Sequence, residues 1–128
     1  MFDKKPKSYT ELLGQTNRIV EGTTIHGDII SPADFRLDGE LIGNFTSNGK
    51  LVIGPAGSVK GDIICNMADI EGKFEGKIKV EDMLNVKESA NIIGEVEIGK
   101  LSVEPGAIFN ASCVMFSKSD KNTKSADE

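Results

Sequence analysis

The sequence predicts an all-β, single-domain protein whose chain winds into a parallel β-helix of about six turns. Apolar residues alternate with polar ones in runs of three to five, a pattern typical of short strands with one buried face. The alternating unit returns every 16–17 residues, and Gly, Pro, Asn and Asp separate its strands. A fixed short repeat of strands indicates a solenoid in which each copy is one turn.

Residues 51–63, LVIGPAGSVKGDI, are one copy of this unit. Leu51 and Ile53 alternate, a Gly-Pro-Ala-Gly corner follows, and Val59, Gly61 and Ile63 then alternate again. Equivalent residues of successive copies should stack about 4.8 Å apart. The expected columns are Ile19, Phe35, Leu51, Ala68, Leu84 and Leu101; Leu37, Ile53, Ile70, Val86 and Val103, with Glu21 out of pattern; Ile25, Leu41, Val59, Phe74, Ile92 and Ile108; Gly27, Gly43, Gly61, Gly76, Gly94 and Asn110; Ile29, Phe45, Ile63, Ile78, Val96 and Ser112; and, more weakly, Ser31, Ser47, Cys65, Val80, Ile98 and Val114.

The corners between the second and third columns differ in length. The corners at 37–41 and 70–74 are short, whereas those at 53–59 and 86–92 are two residues longer. Gly39 and Gly72 occupy matching places in the short corners, where a tight bend favours glycine. Loops that vary while the columns persist indicate a packed interior with free outer corners.

The chain divides into a tail at 1–18, a β-helix at 19–116 and a second tail at 117–128. Residues 1–18 show no sustained period, although residues 10–13 could form a helical turn or lie against the edge of the domain. Residues 117–128 contain no apolar residue except Ala126. We therefore expect both tails to be disordered, because they bury too little to offset the entropy of ordering.

Composition excludes several classes of function. A net charge of −5 argues against a general nucleic-acid binder, which needs a basic face. No apolar run is long enough to span a bilayer, and no secretory signal is apparent, so we expect a cytoplasmic protein. Cys65 and Cys113 form no CxxC pair and are expected to be reduced, with Cys65 a buried core thiol.

Residues 19–116 resemble the bactofilins, bacterial polymer-forming cytoskeletal proteins. The stretches that carry the resemblance are EGTTIHGDI, FRLDGELIGNF, LVIGPAGSVKGDI, IEGKFEGKI and LSVEPGAIF. The resemblance implies a right-handed β-helix that assembles end to end into filaments without a nucleotide or another cofactor. It also implies a membrane-associated scaffold, peripheral at the cytoplasmic membrane, that serves cell shape or envelope growth and works with peptidoglycan-remodelling or synthesis enzymes.

The two ends of the coil are the predicted polymerisation interface. An open coil leaves unpaired strand edges and uncovered apolar layers at both ends, and no strong amphipathic cap helix is visible. The lower layer should expose Ile19, Ile25 and Ile29. The resemblance implies a critical aromatic residue in the last turn, for which both Phe109 and Phe116 are candidates. The alternation of the sequence puts Phe109 at an outward position, where it is either an edge contact or folded over the end. The upper layer should expose Leu101, Val103, Ile108 and Val114.

The N-terminus is the predicted membrane-binding segment. Met1 and Phe2 could enter the lipid interface while Lys4, Lys5 and Lys7 meet anionic lipid, each lysine contributing about 1 kcal/mol. The resemblance supports this prediction, because bactofilins often carry a short N-terminal Met-Phe-x-Lys stretch. The alternative is a solubilising tail.

No catalytic, cofactor-binding or metal-binding residue is predicted. His26 is the sole histidine, and although Asp28 shares its parity no nucleophile accompanies them, so we interpret it as a surface residue. A hexapeptide-repeat acyltransferase is disfavoured, because the six-residue spacing that includes Cys65 fails at Glu71. In the outer column no two carboxylates are adjacent, which favours a solvated face: Asp28, Asn44, Asp62, Lys77 and Glu95.

Two alternatives remain at this stage. The first is a non-polymerising β-helical module that recruits a cell-envelope enzyme through one face, and the less favoured one is an enzymatic β-helix. A further outer column could mark lateral bundling or a partner surface, with Lys60 and Glu75 between its apolar members Ile42, Ile93 and Phe109.

Overall fold

The computed structural model of the protein describes residues 16–115. All eleven strands found in this range hydrogen-bond in parallel into one continuous sheet that winds through about six turns, and the range contains no helix. The prediction of an all-β parallel solenoid is confirmed. In the same range no helix is long and apolar enough to cross a membrane. The strands are β1 (Thr16–Ile19), β2 (Thr24–His26), β3 (Ile29–Ser31), β4 (Asp34–Leu37), β5 (Glu40–Ile42), β6 (Phe45–Ser47), β7 (Lys50–Ile53), β8 (Ser58–Ile70), β9 (Lys73–Val86), β10 (Asn91–Val103) and β11 (Ile108–Met115).

Each turn contains three strand segments, and each segment pairs with the equivalent one in the next turn. The solenoid therefore has three faces. Face 1 contains β1, β4, β7 and residues 67–70, 83–86 and 100–103. Face 2 contains β2, β5 and residues 58–60, 73–75, 91–93 and 108–110. Face 3 contains β3, β6 and residues 63–65, 78–80, 96–98 and 113–115. We call the end formed by β1–β3 the lower end, and the end formed by residues 100–115 the upper end.

The core is a stack of inward side chains in the middle turns. Leu51, Ala68 and Leu84 lie in register on face 1, and each is at most 1% exposed. Phe45 and Phe74 are the largest fully buried side chains, and Phe45 meets Phe35 edge to face at 5.1 Å between ring centroids. Burial of one such side chain stabilises the fold by roughly 1.5–3 kcal/mol, so the repeated stack accounts for the stability of a domain without helices.

The corner between faces 2 and 3 depends on glycine. The five predicted glycines occupy one column with φ from +133° to +150°, a region that L side chains rarely adopt. A Cβ at Gly61 would overlap the carbonyl oxygen of Gly43 one turn below, and Gly76 and Gly94 are similarly placed. The glycines therefore permit both the corner conformation and the close approach of successive turns.

The first turn is in a different register from the one expected. Ile19 pairs with Leu37, and Asn17 pairs with Phe35. The expected alignment of Ile19 with Phe35 is wrong by two residues. In the observed register the apparent break at Glu21 disappears, because Glu21 belongs to a corner.

The last turn differs from the expectation by one residue. Phe109 lies over Ile92, Ala111 over Gly94, and Cys113 over Val96. Phe109 is therefore inward and half-buried, which corrects the expectation that it faces outward. Its neighbour Ile108 faces outward and is 56% exposed. The same shift puts Met115, and not Val114, over Ile98, and puts Asn110 and Ser112 on the outside.

A uniform long corner explains both corrections. From inward residue to inward residue, the long corners run 19–25, 53–59, 86–92 and 103–109, and each spans six residues. Each contains the same backbone turn, with N–H donors of Thr23, Gly57, Ala90 and Ala107 bonding the carbonyl three residues earlier at 2.8–3.2 Å. The corner lengths are thus restricted to four or six residues, a regularity that fixes the register of both terminal turns.

Candidate assembly interface

Both ends of the solenoid leave strand edges without a partner among the described residues. At the lower end β1, β2 and β3 pair only with the turn above them. At the upper end residues 100–103 and β11 pair only with the turn below. Unpaired edges present free backbone donors and acceptors, so each end is a template for another strand.

The upper end exposes apolar side chains on all three faces. Leu101 and Val103 cover face 1, Phe109 covers face 2, and Cys113 and Met115 cover face 3. Val103 is 43% exposed and Met115 is 57% exposed, whereas the equivalent residues one turn below, Val86 and Ile98, are fully buried. The difference arises because none of residues 16–115 covers the last layer.

The lower end is apolar on part of its surface and polar at one corner. Ile19, Ile25 and Ile29 pack against the core while remaining half-buried. Where face 3 meets face 1, Asn17 Nδ2 donates a hydrogen bond to Ser31 Oγ at 3.1 Å. The two ends therefore carry different chemistry, with the larger continuous apolar layer at the upper end.

An ion-pair cluster lies on face 1 beside the lower end. Arg18 and Arg36 are register partners in adjacent strands, and their Nε atoms lie 3.7 Å and 2.9 Å from Asp38 Oδ2. The Arg36 guanidinium donates two hydrogen bonds to the Asp38 carboxylate, and this interaction is the largest cause of the raised pKa of Arg36. The Asp38 carboxylate is part-buried and contacts both guanidinium groups, so its charge offsets the repulsion between Arg18 and Arg36.

Some of the predicted interface residues lie in the two end layers, one lies on the outside, and others are outside the described residues. Ile19 and Ile25 lie in the lower layer, and Leu101, Val103 and Phe109 lie in the upper layer, as described above. Ile108 projects outward on face 2, so its assignment to the inward layer is wrong, and its part in an end contact stays a prediction. Other predicted residues lie outside the described residues: Phe116, Met1, Phe2, Lys4, Lys5 and Lys7.

Sequence reasoning missed Cys113 and Met115 as members of the upper layer. A signal for them was present, because Phe109, Ala111, Cys113 and Met115 alternate with polar or exposed residues at period two. Because the predicted alternation took Ile108 as the inward residue, it exchanged inward and outward positions for every later residue.

The two cysteines are in different environments. Cys65 is buried in the face 3 column, as predicted, and burial raises the pKa of its thiol to about 12. Cys113 is exposed at the upper end, and partial burial raises the pKa of its thiol as well. Of the two thiols, the one that a reagent can reach is therefore Cys113, on the end surface.

The outer side of the solenoid carries scattered apolar residues between charged ones. Ile42, Lys60, Glu75 and Ile93 form the expected outer column of face 2, but the next residue in it is Asn110, not Phe109. His26 begins this column and is exposed. Within residues 16–115, no group of three or more His, Cys, Asp or Glu side chains could hold a metal ion.

Comparison with known protein families is consistent with this architecture. A family model described as "Bactofilin: Polymer-forming cytoskeletal" matches residues 17–114, about three quarters of the chain. The chain belongs to the bactofilin family. This bactofilin is 24% identical over 91 residues to Bactofilin BacO of Myxococcus xanthus (strain DK1622), an alignment that covers 71% of the chain and 72% of BacO. No solved structure matches it.

The matched range contains almost all of both end layers of this bactofilin. It includes Ile19 and Ile25 at the lower end and Val103, Phe109 and Cys113 at the upper end. Both end layers therefore lie largely within the part of the chain that matches the family model.

Proposed function

We propose that this bactofilin assembles end to end, through its two uncovered layers, into filaments that need no nucleotide. The observation that carries the proposal is the upper layer, in which Val103 and Met115 are exposed at positions that are fully buried one turn below. Covering that layer with a second chain would restore the environment that the repeat provides elsewhere. The family's description as polymer-forming supports this reading.

Two kinds of interaction would hold such a contact. Strand edges would pair as they do between turns, and apolar side chains would leave water, which contributes about 25 cal/mol for each Å² of apolar surface buried. The two contact surfaces lie at opposite ends of the solenoid, so each added subunit presents a new free end. The subunits therefore form an open filament and not a closed ring.

We further propose that the filament is peripheral at the cytoplasmic membrane, where it serves as a scaffold for cell shape or envelope growth and recruits envelope enzymes. Met1, Phe2 and the lysines at 4, 5 and 7 are the proposed membrane contacts. One such segment binds weakly, but a filament presents many copies, and avidity raises the overall affinity. The resemblance to bactofilins supports this part of the proposal.

A charge on the end, compared with a charge on the side, tests the assembly. Val103 at the upper end and Ile93 on the outer face 2 are 43% and 45% exposed, so Val103→Glu and Ile93→Glu alter equally accessible side chains. We expect wild type and Ile93→Glu to sediment without nucleotide and to form filaments in negative stain. Val103→Glu, and likewise Phe109→Glu, should stay in the supernatant with an unchanged β spectrum.

The assembly proposal fails if Val103→Glu sediments as wild type does. It also fails if wild type stays monomeric over a wide range of concentration and salt, a result that would favour the non-polymerising binding module. Loss of the β spectrum in Phe109→Glu would assign that residue to the core, which is why Val103 provides the primary comparison.

Liposome flotation tests the membrane proposal separately. Phe2→Glu should lose flotation with anionic vesicles, whereas Phe2→Leu, which keeps an apolar side chain, should retain it. Equal flotation of the Phe2→Glu variant and wild type would contradict membrane binding through this segment.

A further inference from the structure

A cleft lies where faces 1 and 2 meet, over the short corner at 37–41. The long corners at 19–25 and 53–59 flank this corner below and above, and each has two more residues than it. The amide of Glu40 donates to the carbonyl of Thr23, so the backbone of the short corner does not follow the projecting part of the long corner below. The long corners therefore project outward and leave between them a recess of about 380 Å³, which we call the corner cleft.

The floor of the corner cleft is an ion pair that fixes one guanidinium group. Asp38 accepts hydrogen bonds from Arg36 Nε at 2.9 Å and from Arg36 Nη2 at 3.1 Å. A Cβ at Gly54 would overlap Asp38 Oδ1, so the glycine leaves room for this carboxylate. A guanidinium has five N–H donors in a fixed planar fork, and the Nη1 donors of Arg36 therefore point away from Asp38.

A second guanidinium group lies beside the first. Arg18 is the register partner of Arg36, its Nε atom lies 3.7 Å from Asp38 Oδ2, and its side chain is 64% exposed. A distance of 3.7 Å is too long for a hydrogen bond, so Arg18 interacts with Asp38 by charge alone. This contact leaves the N–H donors of Arg18 available to a ligand.

The corner cleft contains both arginines of the chain. Every other strongly basic side chain of the sequence is a lysine, whereas Arg18 and Arg36 lie together at this one site. The planar fork of arginine binds two oxygens of a carboxylate or phosphate group at once, which the ammonium group of lysine does not do. The choice and position of the two arginines therefore indicate recognition of an oxyanion.

The charges of the cleft favour a carboxylate over a phosphate group. Asp38 and Glu21 line the same cleft as Arg18 and Arg36, so the formal charges of these four residues cancel. An anion with a single charge gains contacts with two guanidinium groups, whereas a phosphate dianion brings a second negative charge towards two carboxylates. A carboxylate is therefore the ligand group that fits.

The walls of the cleft are apolar. Val20 on the lower long corner is 60% exposed, and Pro55 and Ala56 project from the upper long corner. The volume of about 380 Å³ is within the range of pockets that bind small ligands. An apolar side chain next to the carboxylate of a ligand would cover these three residues.

A second cleft of the same origin is closed by a hydrogen bond. It lies over the short corner at 70–74, where Ser89 Oγ of the long corner above donates to the carbonyl of Glu71 at 2.7 Å. Ala56 is the third residue of the turn in its own long corner, as Ser89 is, but it has no hydroxyl group. The corner cleft is thus open at the place where the second cleft is bridged.

We propose that the corner cleft binds an extended peptide segment of a partner protein through an acidic side chain and an adjacent apolar side chain. The acidic side chain contacts Arg18 and the outer N–H groups of Arg36, and the apolar one packs against Val20, Pro55 and Ala56. Among the described residues, ridges bound the cleft on two sides only, so a segment can enter and leave it. The site lies within one chain, so binding does not depend on end-to-end assembly.

A double-mutant cycle between protein and peptide tests this contact. The probes are end-capped peptides with a neutral fluorophore, Gly-Ser-Glu-Phe-Ser-Gly and Gly-Ser-Gln-Phe-Ser-Gly. Fluorescence anisotropy follows their titration with full-length protein that carries Val103→Glu, so that no filament contact covers the first turn. We expect the Glu peptide to bind about tenfold more tightly than the Gln peptide, as the gain of one charged hydrogen bond predicts.

Two variants locate the contact. Arg18→Gln should remove the difference between the two peptides, because Arg18 meets the carboxylate. Lys87→Gln is the matched control, since Lys87 Nζ lies 3.7 Å from Glu104 Oε2, the same distance as in the ion pair of Arg18. It should keep the tenfold difference, and both variants should keep the β spectrum because the two side chains lie on the outside.

Other outcomes overturn the proposal. Absence of binding, or equal binding of the Glu and Gln peptides, would exclude a carboxylate site in the cleft. Equal losses in Arg18→Gln and Lys87→Gln would show attraction by overall charge without a specific contact. Tighter binding of a peptide with phosphoserine in place of Glu would assign the cleft to phosphopeptides instead.

A substitution in the wall gives a second test that leaves both arginines in place. Ala56→Asp adds a carboxylate beside the ligand and should weaken binding of the Glu peptide about tenfold, whereas Ala56→Asn, which has the same size without the charge, should not. Equal affinity of these two variants for the Glu peptide would contradict a carboxylate bound in the cleft.

Discussion

Substitution in the glycine column gives a quantitative test of how the turns stack. Gly61→Ala and Gly27→Ala both place a side chain on a backbone with positive φ, +143° and +133°. They differ in one respect: the added Cβ at 61 overlaps the Gly43 carbonyl oxygen, whereas the Cβ at 27 meets no described atom within 4 Å. The pair therefore separates the cost of the backbone conformation from the cost of pushing two turns apart.

The expected magnitudes follow from these two contributions. The strained backbone conformation should cost both variants about 1–3 kcal/mol. The overlap in Gly61→Ala should add about 1–3 kcal/mol, as overpacking of a dense interior does. With about 4–8 °C of Tm for each kcal/mol in a domain of this size, Gly61→Ala should melt roughly 10 °C below Gly27→Ala.

Thermal unfolding followed by far-ultraviolet circular dichroism measures this difference when all proteins carry Val103→Glu, so that no neighbouring chain covers Gly27. The protein with both glycines should have the highest Tm, Gly27→Ala an intermediate one and Gly61→Ala the lowest. Equal Tm values for the two variants would refute the claim that close contact between turns, beyond corner conformation, requires the glycines.

Two further predictions concern the thiols. Cys113, exposed at the upper end, should react with a thiol reagent in the Val103→Glu variant and be protected in wild-type filaments; equal labelling of both would contradict an end contact at that layer. For Cys65, burial holds the folded-state pKa at about 12, above the ordinary 9.0 of an unfolded thiol, so the folded state favours the protonated form. Its contribution to stability is fully present below pH 9 and is lost as the pH rises towards 12. The free energy of unfolding, measured in urea, should therefore fall more in wild type than in Cys65→Ala as the pH is raised through this range. Equal losses in the two proteins would contradict this prediction.

Sequence alone determined the middle of this fold well. Leu51, Ala68 and Leu84 stack as predicted, because both neighbours of each turn are copies of the same pattern and a shift by one residue would turn every apolar side chain outward. The glycine column was also predictable, since Gly43, Gly61, Gly76 and Gly94 recur at a fixed offset from the inward residues.

The terminal turns were harder to predict because each has a neighbour on one side only. Ile108 and Phe109 are both apolar, so local alternation does not decide which one faces inward; the six-residue corner decides it. The same six-residue corner, counted back from Ile25, also gives the correct register of Ile19, which pairs with Leu37. Since the proposed function depends on the end layers, the least constrained part of the pattern is also the part that matters most for the candidate site.

The axial repeat of the filament tests the central claim most directly. Six turns stacked about 4.8 Å apart make a subunit about 29 Å long. Cryo-electron microscopy of wild-type polymer should therefore show strands perpendicular to the filament axis and an axial repeat of about 29 Å if subunits join head to tail, or about twice that if like ends meet. Strands running along the axis, or protein that never polymerises, would contradict assembly through the ends of the solenoid.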